Sequence, residues 1–406
     1  MKLKKILISG GWGYHNLGDD AILKSTLNLV NHFFPKRDKI VTSYDPNQSI
    51  KIVEDENINC IQSVPRIIFG KYWHLSFINE NVHVTNIYKI HRFFKKVRNR
   101  IWLLFIRFFP SLFLFFLRIF YNKIYKDFSQ VDLFIMSGGG YFASGDISLI
   151  SRFIEIEVAK LCRAKVVLVG QSIGPFTRNI DKKIVKRCLL KCDVIQVRDW
   201  DSLHELQAMG IKVEKDIIPD LALYDNIVIP KKQLITLIPF SRRILVNMSK
   251  ICNILHNFQK TENYKIRITI SQQWKIQNEI AYELYQMLQS MSCDVEFVIP
   301  SDVDELQTGL GESQIVISEN LHGLIMAYRA GSSIISLNDT RKFKTFMEIT
   351  QKKDLLIGLK EFDEHKLKTA INKCINEREH NDKIKKEISA EIESKVNNIF
   401  HSLKLM

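Results

Sequence analysis

The sequence is short of the residues that punctuate a chain. Nine prolines and 17 glycines in 406 residues leave no composition for a long linker and exclude a fibrous repeat. Cysteine is sparse and odd in number: Cys60, Cys162, Cys188, Cys192, Cys252, Cys293 and Cys374 stand in apolar stretches without a CxxC pair. That spacing fits neither a disulfide framework nor a metal site, so reduced, packing cysteines are expected. A signal-peptide core is missing too. After Met1-Lys2-Leu3-Lys4-Lys5 the apolar run Ile6-Leu7-Ile8 stops at Ser9-Gly10-Gly11, and a cytoplasmic location is expected. What is present is ordinary for a chain with a core, 46% hydrophobic and 25% charged, which sets aside a disordered protein and a small stapled scaffold. At roughly 100–200 residues per domain the length argues for two domains.

Acidic residues are absent between Lys89 and Lys126, where Lys89, Arg92, Lys95, Lys96, Arg98, Arg100, Arg107, Arg118, Lys123 and Lys126 fall. These supply most of the net charge of +14. Ile101–Pro110 and Ser111–Phe120, rich in Phe and Leu, are threaded through them. Arg107, Pro110 and Arg118 argue against a membrane span, a central Arg costing about 2.5–3.5 kcal/mol on insertion scales. The favoured reading is a basic aromatic helical insertion, about residues 85–128, whose 89–126 stretch lies on an anionic membrane surface, placing the protein peripherally at the inner face of the cell membrane. A buried or subunit-facing insertion and a true span are the alternatives. Nucleic acid is not expected, because bulky aliphatics stand where spaced aromatics and polar readers are needed.

Short β-branched runs alternate with amphipathic stretches. Strands are expected at Ile6–Ser9, Lys39–Tyr44, Val131–Ser137, Lys165–Gly170 and Val194–Arg198, then at Ile235–Pro239, Ile266–Ile270, Val295–Ile299, Ile315–Ser318 and Ser333–Leu337. This is the βαβ pattern of parallel sheets. A seam at Pro219–Lys232 divides it, which predicts an α/β fold of two doubly wound parallel-sheet domains facing a cleft. The expected bounds are 1–225 and 226–360, with charged C-terminal helices over 361–406.

Four motifs carry chemistry. Gly10-Gly11-Trp12-Gly13-Tyr14-His15-Asn16-Leu17-Gly18-Asp19-Asp20 runs from a strand through glycines into a helix. Its spacing is neither a dinucleotide fingerprint nor a P-loop. It reads equally as an anion-approaching turn or as a tight turn with Asp19 as helix N-cap. Ser137-Gly138-Gly139-Gly140 ends the third expected strand and Gly170-Gln171-Ser172-Ile173-Gly174-Pro175 the fourth, two glycine-rich strand ends in one sheet. Arg198, in Val197-Arg198-Asp199, stands where strand gives way to helix; its fork suits a carboxylate or phosphate, and an ion pair with Asp199 or Asp201 is the bland alternative. Ser318-Glu319-Asn320-Leu321-His322-Gly323 interrupts a buried strand and opens a helix, putting a histidine where it can donate to an anion or pass a proton.

Taken in order, and with Pro219-Asp220-Leu221-Ala222, these motifs resemble the polysaccharide pyruvyl transferase family over roughly residues 4 to 350. The resemblance implies a GT-B-like fold and transfer of pyruvate from phosphoenolpyruvate to a sugar of a surface polysaccharide or lipid-linked precursor as a ketal. It implies no metal or other cofactor. Arg198 and His322 would be the catalytic residues. Gly13, Asn16, Asp19, Gly138, Gly139, Gly140, Gln171, Asn320, Leu321 and Lys342 would line the substrates. Asn320 departs from the family, which usually has an arginine there; Lys342, Arg242 or Arg243 would supply a replacement charge. A nucleotide-sugar glycosyltransferase of the same fold, or a non-catalytic member of a polysaccharide assembly, are the alternatives.

Overall fold

A computed structural model of the chain describes residues 5–53, 58–64, 101, 104–105, 108–144, 148–213, 217–224, 227–376 and 378–405. The chain divides into two compact units, Met1–Tyr14 with Phe34–Ile217, and His15–Phe33 with Ile218–Met406. The first holds strands β1 (Lys5–Ser9), β2 (Asp38–Ser43), β3 (Ile58–Gln62), β4 (Leu133–Ser137), β5 (Lys165–Gln171) and β6 (Val194–Val197). They form one sheet in the order β3-β2-β1-β4-β5-β6, parallel throughout. The second holds β7 (Lys232–Ile238), β8 (Lys265–Thr269), β9 (Val295–Val298), β10 (Ser313–Ser318) and β11 (Ser333–Ser336), in the parallel order β11-β10-β7-β8-β9.

Both sheets are covered on two faces, so their inner strands are near-continuous apolar runs, such as Ile6-Leu7-Ile8 and Ile315-Val316-Ile317, all fully buried. That is why ten of the eleven strands among the described residues are legible in sequence. The missed one, β3, is an edge strand whose Ile58-Asn59-Cys60-Ile61-Gln62 buries only Ile58 and Ile61. In each sheet the chain order reverses once, between β1 and β4 and between β7 and β10. Parallel sheets leave an open crevice at the carboxyl ends of such strand pairs. Ser9-Gly10 and Ser137–Gly140 occupy the first of these ends; Phe240-Ser241 and Ser318–His322 occupy the second.

One assignment differs from the expected bounds. The helix Leu17–Phe33 follows β1 directly but belongs to the second unit. Its Lys24 pairs with Asp304 at 2.7 Å, its Ser25 Oγ accepts from Arg329, and Phe33 stacks on Phe400 with ring centroids 5.6 Å apart. Phe400 lies on the C-terminal helix Arg378–Leu405.

Of the basic aromatic insertion, residues 85–100, 102–103 and 106–107 lie outside the described residues. The helix Pro110–Phe120 opens with Pro110 at its start, where a missing N–H costs nothing. It buries Phe113 and Leu117, one turn apart, in the core of the first unit, and the helix Asn122–Ser129 adds Ile124 and Phe128. Its other face leaves Leu112, Phe115 and Ile119 each more than half exposed, as are Phe109 and Phe120 at its two ends. Among the described residues no helix is long and apolar enough to cross a membrane. All seven cysteines are free thiols.

Candidate functional site

In the first unit two glycine turns and Arg198 come together at the carboxyl ends of β4, β5 and β6. Arg198 Nε donates to Ser172 Oγ at 2.8 Å, and Ser172 Oγ donates to Asp199 Oδ2 at 2.6 Å. The other Asp199 oxygen accepts from the Ser202 backbone N–H at 2.8 Å, so Asp199 is the N-cap of helix Trp200–Ala208. Asp199 thus holds Arg198 through a serine. A Cβ on Gly140 would stand 3.8 Å from Arg198 Nη2, which sets the guanidinium beside the Gly138–Gly140 turn. Gly139 has φ +89° and its hydrogen faces the Tyr141 ring, only 2.1 Å from where a Cβ would sit; no other residue fits there. Gln171 is fully buried, and its amide donates to Met136 O at 3.2 Å across the sheet. Gly13 packs on Ser43 and Asp45 of the same unit.

Beneath these turns lies a charged pair that sequence reasoning missed. Arg152 and Glu155, one turn apart on helix Ser148–Leu161, have side chains 1% and 0% exposed and pair at 2.9 Å. Arg152 also donates to Ser9 Oγ at 2.9 Å, to Gly10 O at 2.6 Å and to Tyr44 Oη at 3.1 Å. Its guanidinium stands 4.6 Å from the centre of the Tyr141 ring. Burial works against its charge, but Tyr44, Glu155 and Tyr141 outweigh it and keep the group protonated. The signal was available: Arg152, Glu155 and Glu157 interrupt an apolar helix whose neighbours all face a core.

In the second unit the chain just before helix Leu17–Phe33 docks on the segment after β8. Leu17 N donates to Ser271 O at 3.1 Å, Gln273 N donates to His15 O at 3.0 Å, and Asn16 bridges Gln272 antiparallel. Asn16 Oδ1 accepts from Gly18 N at 3.2 Å and its carbonyl accepts from Asp20 N at 3.1 Å. Capping therefore falls to Asn16, not to Asp19 as one sequence reading had it. Asp19 instead accepts from Asn16 Nδ2 at 2.7 Å.

The β10 motif meets this helix start. Asn320 is the N-cap of helix Leu321–Arg329, its side chain accepting from Gly323 N at 3.0 Å, and Leu321 is buried. Glu319 accepts from Phe240 N at 3.0 Å and Ser241 N at 2.8 Å, and from Ser241 Oγ, tying the end of β10 to the loop after β7. Burial pushes the Glu319 carboxyl up, and these donors draw it back. His322 lies against Gly18, where a Cβ would be 2.2 Å from Nδ1. Its Nε2 is 3.7 Å from Asp220 Oδ2. Lys342 is exposed beside Phe343, 5.7 Å from that ring's centre. No group of three or more His, Cys, Asp or Glu side chains among the described residues is arranged to hold a metal ion.

The family model for polysaccharide pyruvyl transferase matches residues 16–338. The chain belongs to this family. The match takes in Asn16, Gly18, Asp19, both glycine-rich strand ends, Arg198, Asp220 and His322, whereas Gly13 and Lys342 fall outside it. No curated protein matches the pyruvyl transferase chain in sequence. Solved structures match its fold at low identity. UDP-GlcNAc 2-epimerase from Neisseria meningitidis bound to UDP-GlcNAc is 12% identical at TM-score 0.57, covering 98% of this chain and 99% of its own. The epimerase from Methanocaldococcus jannaschii gives 12% and 0.57 over 92% and 93%, and HepE from Anabaena with UDP and glucose 10% and 0.55 over 98% of each chain. The fold of two parallel-sheet α/β domains is thus GT-B-like.

Proposed function

We propose that this transferase moves pyruvate from phosphoenolpyruvate onto two hydroxyls of a sugar in a polysaccharide or its lipid-linked precursor, forming a ketal. The observation that carries the reading is the family match, which runs through the motifs from Asn16 to His322 and leaves out Gly10–His15 and Lys342. A proton adds to the methylene carbon of phosphoenolpyruvate, leaving an oxygen-stabilised cation at C2. A sugar hydroxyl attacks C2 and loses its proton. Phosphate departs with its bridging oxygen, and a neighbouring hydroxyl takes its place. Phosphoenolpyruvate and a diol thereby give a ketal and inorganic phosphate.

The donor brings a carboxylate and a phosphate, which require fixed cations, and its methylene requires an acid. Arg198, oriented through Nε by Ser172, is assigned to an anionic group of the donor. His322 is assigned to the proton, and Lys342 to the charge that Asn320 lacks. Calorimetric titration of phosphoenolpyruvate into the full-length protein tests this. Saturable heat is expected, with affinity falling roughly 10–100-fold in Arg198→Ala, since a hydrogen bond to a charged group contributes about 1.5–3 kcal/mol. Absence of heat, together with saturable binding of a nucleoside diphosphate, would move the assignment to a glycosyltransferase.

The exposed face of helix Pro110–Phe120 supports peripheral membrane binding in the same reading. Leu112, Phe115 and Ile119 stand out from it, with Phe109 and Phe120 exposed at the helix ends, within a stretch of ten basic and no acidic residues. Apolar insertion plus attraction to anionic lipid is the physics of an interfacial helix. Sedimentation with vesicles is expected to show binding to anionic but not neutral lipid, weakening with salt. Leu112→Asp with Phe115→Asp is expected to abolish it without unfolding, because Phe113 and Leu117 hold the helix. Equal recovery on neutral vesicles, or a dimer lost in that variant, would defeat the idea.

A further inference from the structure

His322 has two ring nitrogens in unlike surroundings. Nε2 is buried and makes no hydrogen bond, so the 14% of the side chain that remains exposed lies away from that nitrogen. The Nδ1 edge lies over Gly18, whose missing side chain makes the room: a Cβ there would stand 2.2 Å from Nδ1, 2.3 Å from Cγ and 2.4 Å from His322 Cβ. Gly18 is helical, so its glycine answers to space and not to backbone angle.

Behind Nε2 stands Asp220, whose side chain is 3% exposed. It caps the 3-10 turn Leu221–Leu223, Oδ1 accepting from Ala222 N at 3.1 Å. That bond locks the carboxylate and turns Oδ2 toward the ring. At 3.7 Å the two atoms are in ion-pair reach and slightly beyond a hydrogen bond. The other carboxylates of these motifs are engaged elsewhere, Asp19 with Asn16 and Glu319 with the 240–241 loop. A bare lone pair on Nε2 would face an anion; a proton there turns repulsion into attraction.

We propose that Asp220 is a positioning residue that keeps the His322 proton on Nε2, leaving Nδ1 as the nitrogen that exchanges protons with the substrate. This rests on the reading of His322 as the proton donor. A carboxylate orienting a histidine and fixing its tautomer is a recurring device on unrelated folds. Here it is built inside one unit, from the helix start at Gly18, the turn at Asp220 and the helix at His322.

The test is Asp220→Asn in the full chain. The amide oxygen is expected to keep the Ala222 N–H, so the amide nitrogen takes the place of Oδ2 and donates to Nε2. The His322 proton then moves to Nδ1. Nitrogen NMR of ¹⁵N-histidine protein, with the signal identified by His322→Gln, reads this directly above the titration of the ring. Nε2–H is expected in the wild type and Nδ1–H in the variant, the remaining histidine signals unchanged as the check on folding. Phosphate release from phosphoenolpyruvate is expected to lose roughly tenfold or more in kcat with the donor KM unchanged. Nδ1–H in the wild type, the same tautomer in both proteins, or a switched tautomer with unchanged kcat would overturn the proposal. If neither protein releases phosphate, the pyruvyl transfer reading falls while the spectra still decide the pairing.

Discussion

Arg152→Met is expected to destabilise the first unit by about 3–5 kcal/mol, because it strands Glu155 as an unpaired buried charge. The pair has no access to water, at 1% and 0% side-chain exposure. Ser9 Oγ would still donate to Glu155 at 2.6 Å, but a neutral hydroxyl does not replace a guanidinium. Gly10 O and Tyr44 Oη lose their charged donor as well. Urea unfolding followed by a probe of the first unit would move to a lower midpoint. In the double variant Arg152→Met with Glu155→Leu the buried charge is gone, and part of the loss is expected to return. A single variant within about 0.5 kcal/mol of wild type, the range of ordinary surface changes, would show that the pair is not the support it is described to be. So would a double variant no better than the single. The consequence reaches the site, since Arg152 grips the carboxyl ends of β1 and β2 and the ring of Tyr141 after the glycine turn.

Arg152 also marks the limit of what one-dimensional pattern reveals. The sheets were legible because two-sided burial writes β-branched runs into the sequence, and β3 was not because Asn59 and Gln62 leave it only two separated buried isoleucines. The motifs were legible as strand ends followed by helix starts; Ser9-Gly10, Ser137–Gly140 and Ser318–His322 fall where the strand order reverses, whereas Gly170–Pro175 and Arg198 follow β5 and the edge strand β6. What was illegible is tertiary. Nothing in Asn16-Leu17-Gly18-Asp19 says that the helix it opens leaves the unit of the preceding strand and packs on Arg329 and Phe400. Nothing in Pro219-Asp220 says that its carboxylate is turned toward His322, 102 positions along the chain. Asn320 looked like a lost charge beside its family; its place is the N-cap of the histidine's own helix. The capping bond is worth about 1 kcal/mol to that helix, a function that an amide serves and a guanidinium does not. Gln171, expected to line a substrate, donates its amide nitrogen to Met136 O inside the sheet, and its amide oxygen makes no hydrogen bond among the described residues.

His322→Ala is expected to lower phosphate release from phosphoenolpyruvate by roughly 10²–10⁴-fold, the usual yield of a positioned general acid. At about 1.36 kcal/mol per decade this is about 3–5 kcal/mol of transition-state stabilisation. The partition between kcat and binding discriminates two roles for the imidazole. An acid acts on the methylene carbon, which carries no charge before reaction, so its removal takes kcat and leaves donor affinity near wild type. A clamp on the phosphate acts on the bound donor too, and its removal shows first in calorimetry. The placement favours the acid: Asp220 stands behind Nε2, 3.7 Å away, and leaves Nδ1 as the nitrogen turned from the carboxylate. The fold should tolerate the change, since alanine at 322 opens space against Gly18 and Asp220 and leaves the Asn320 cap and the buried Leu321 in place. Unchanged thermal melting with a collapsed kcat and intact donor binding is therefore the combined result expected. Wild-type turnover in His322→Ala would remove the histidine from the chemistry altogether. Lost binding with residual turnover at saturating donor would recast it as a clamp, with the proton coming from another group.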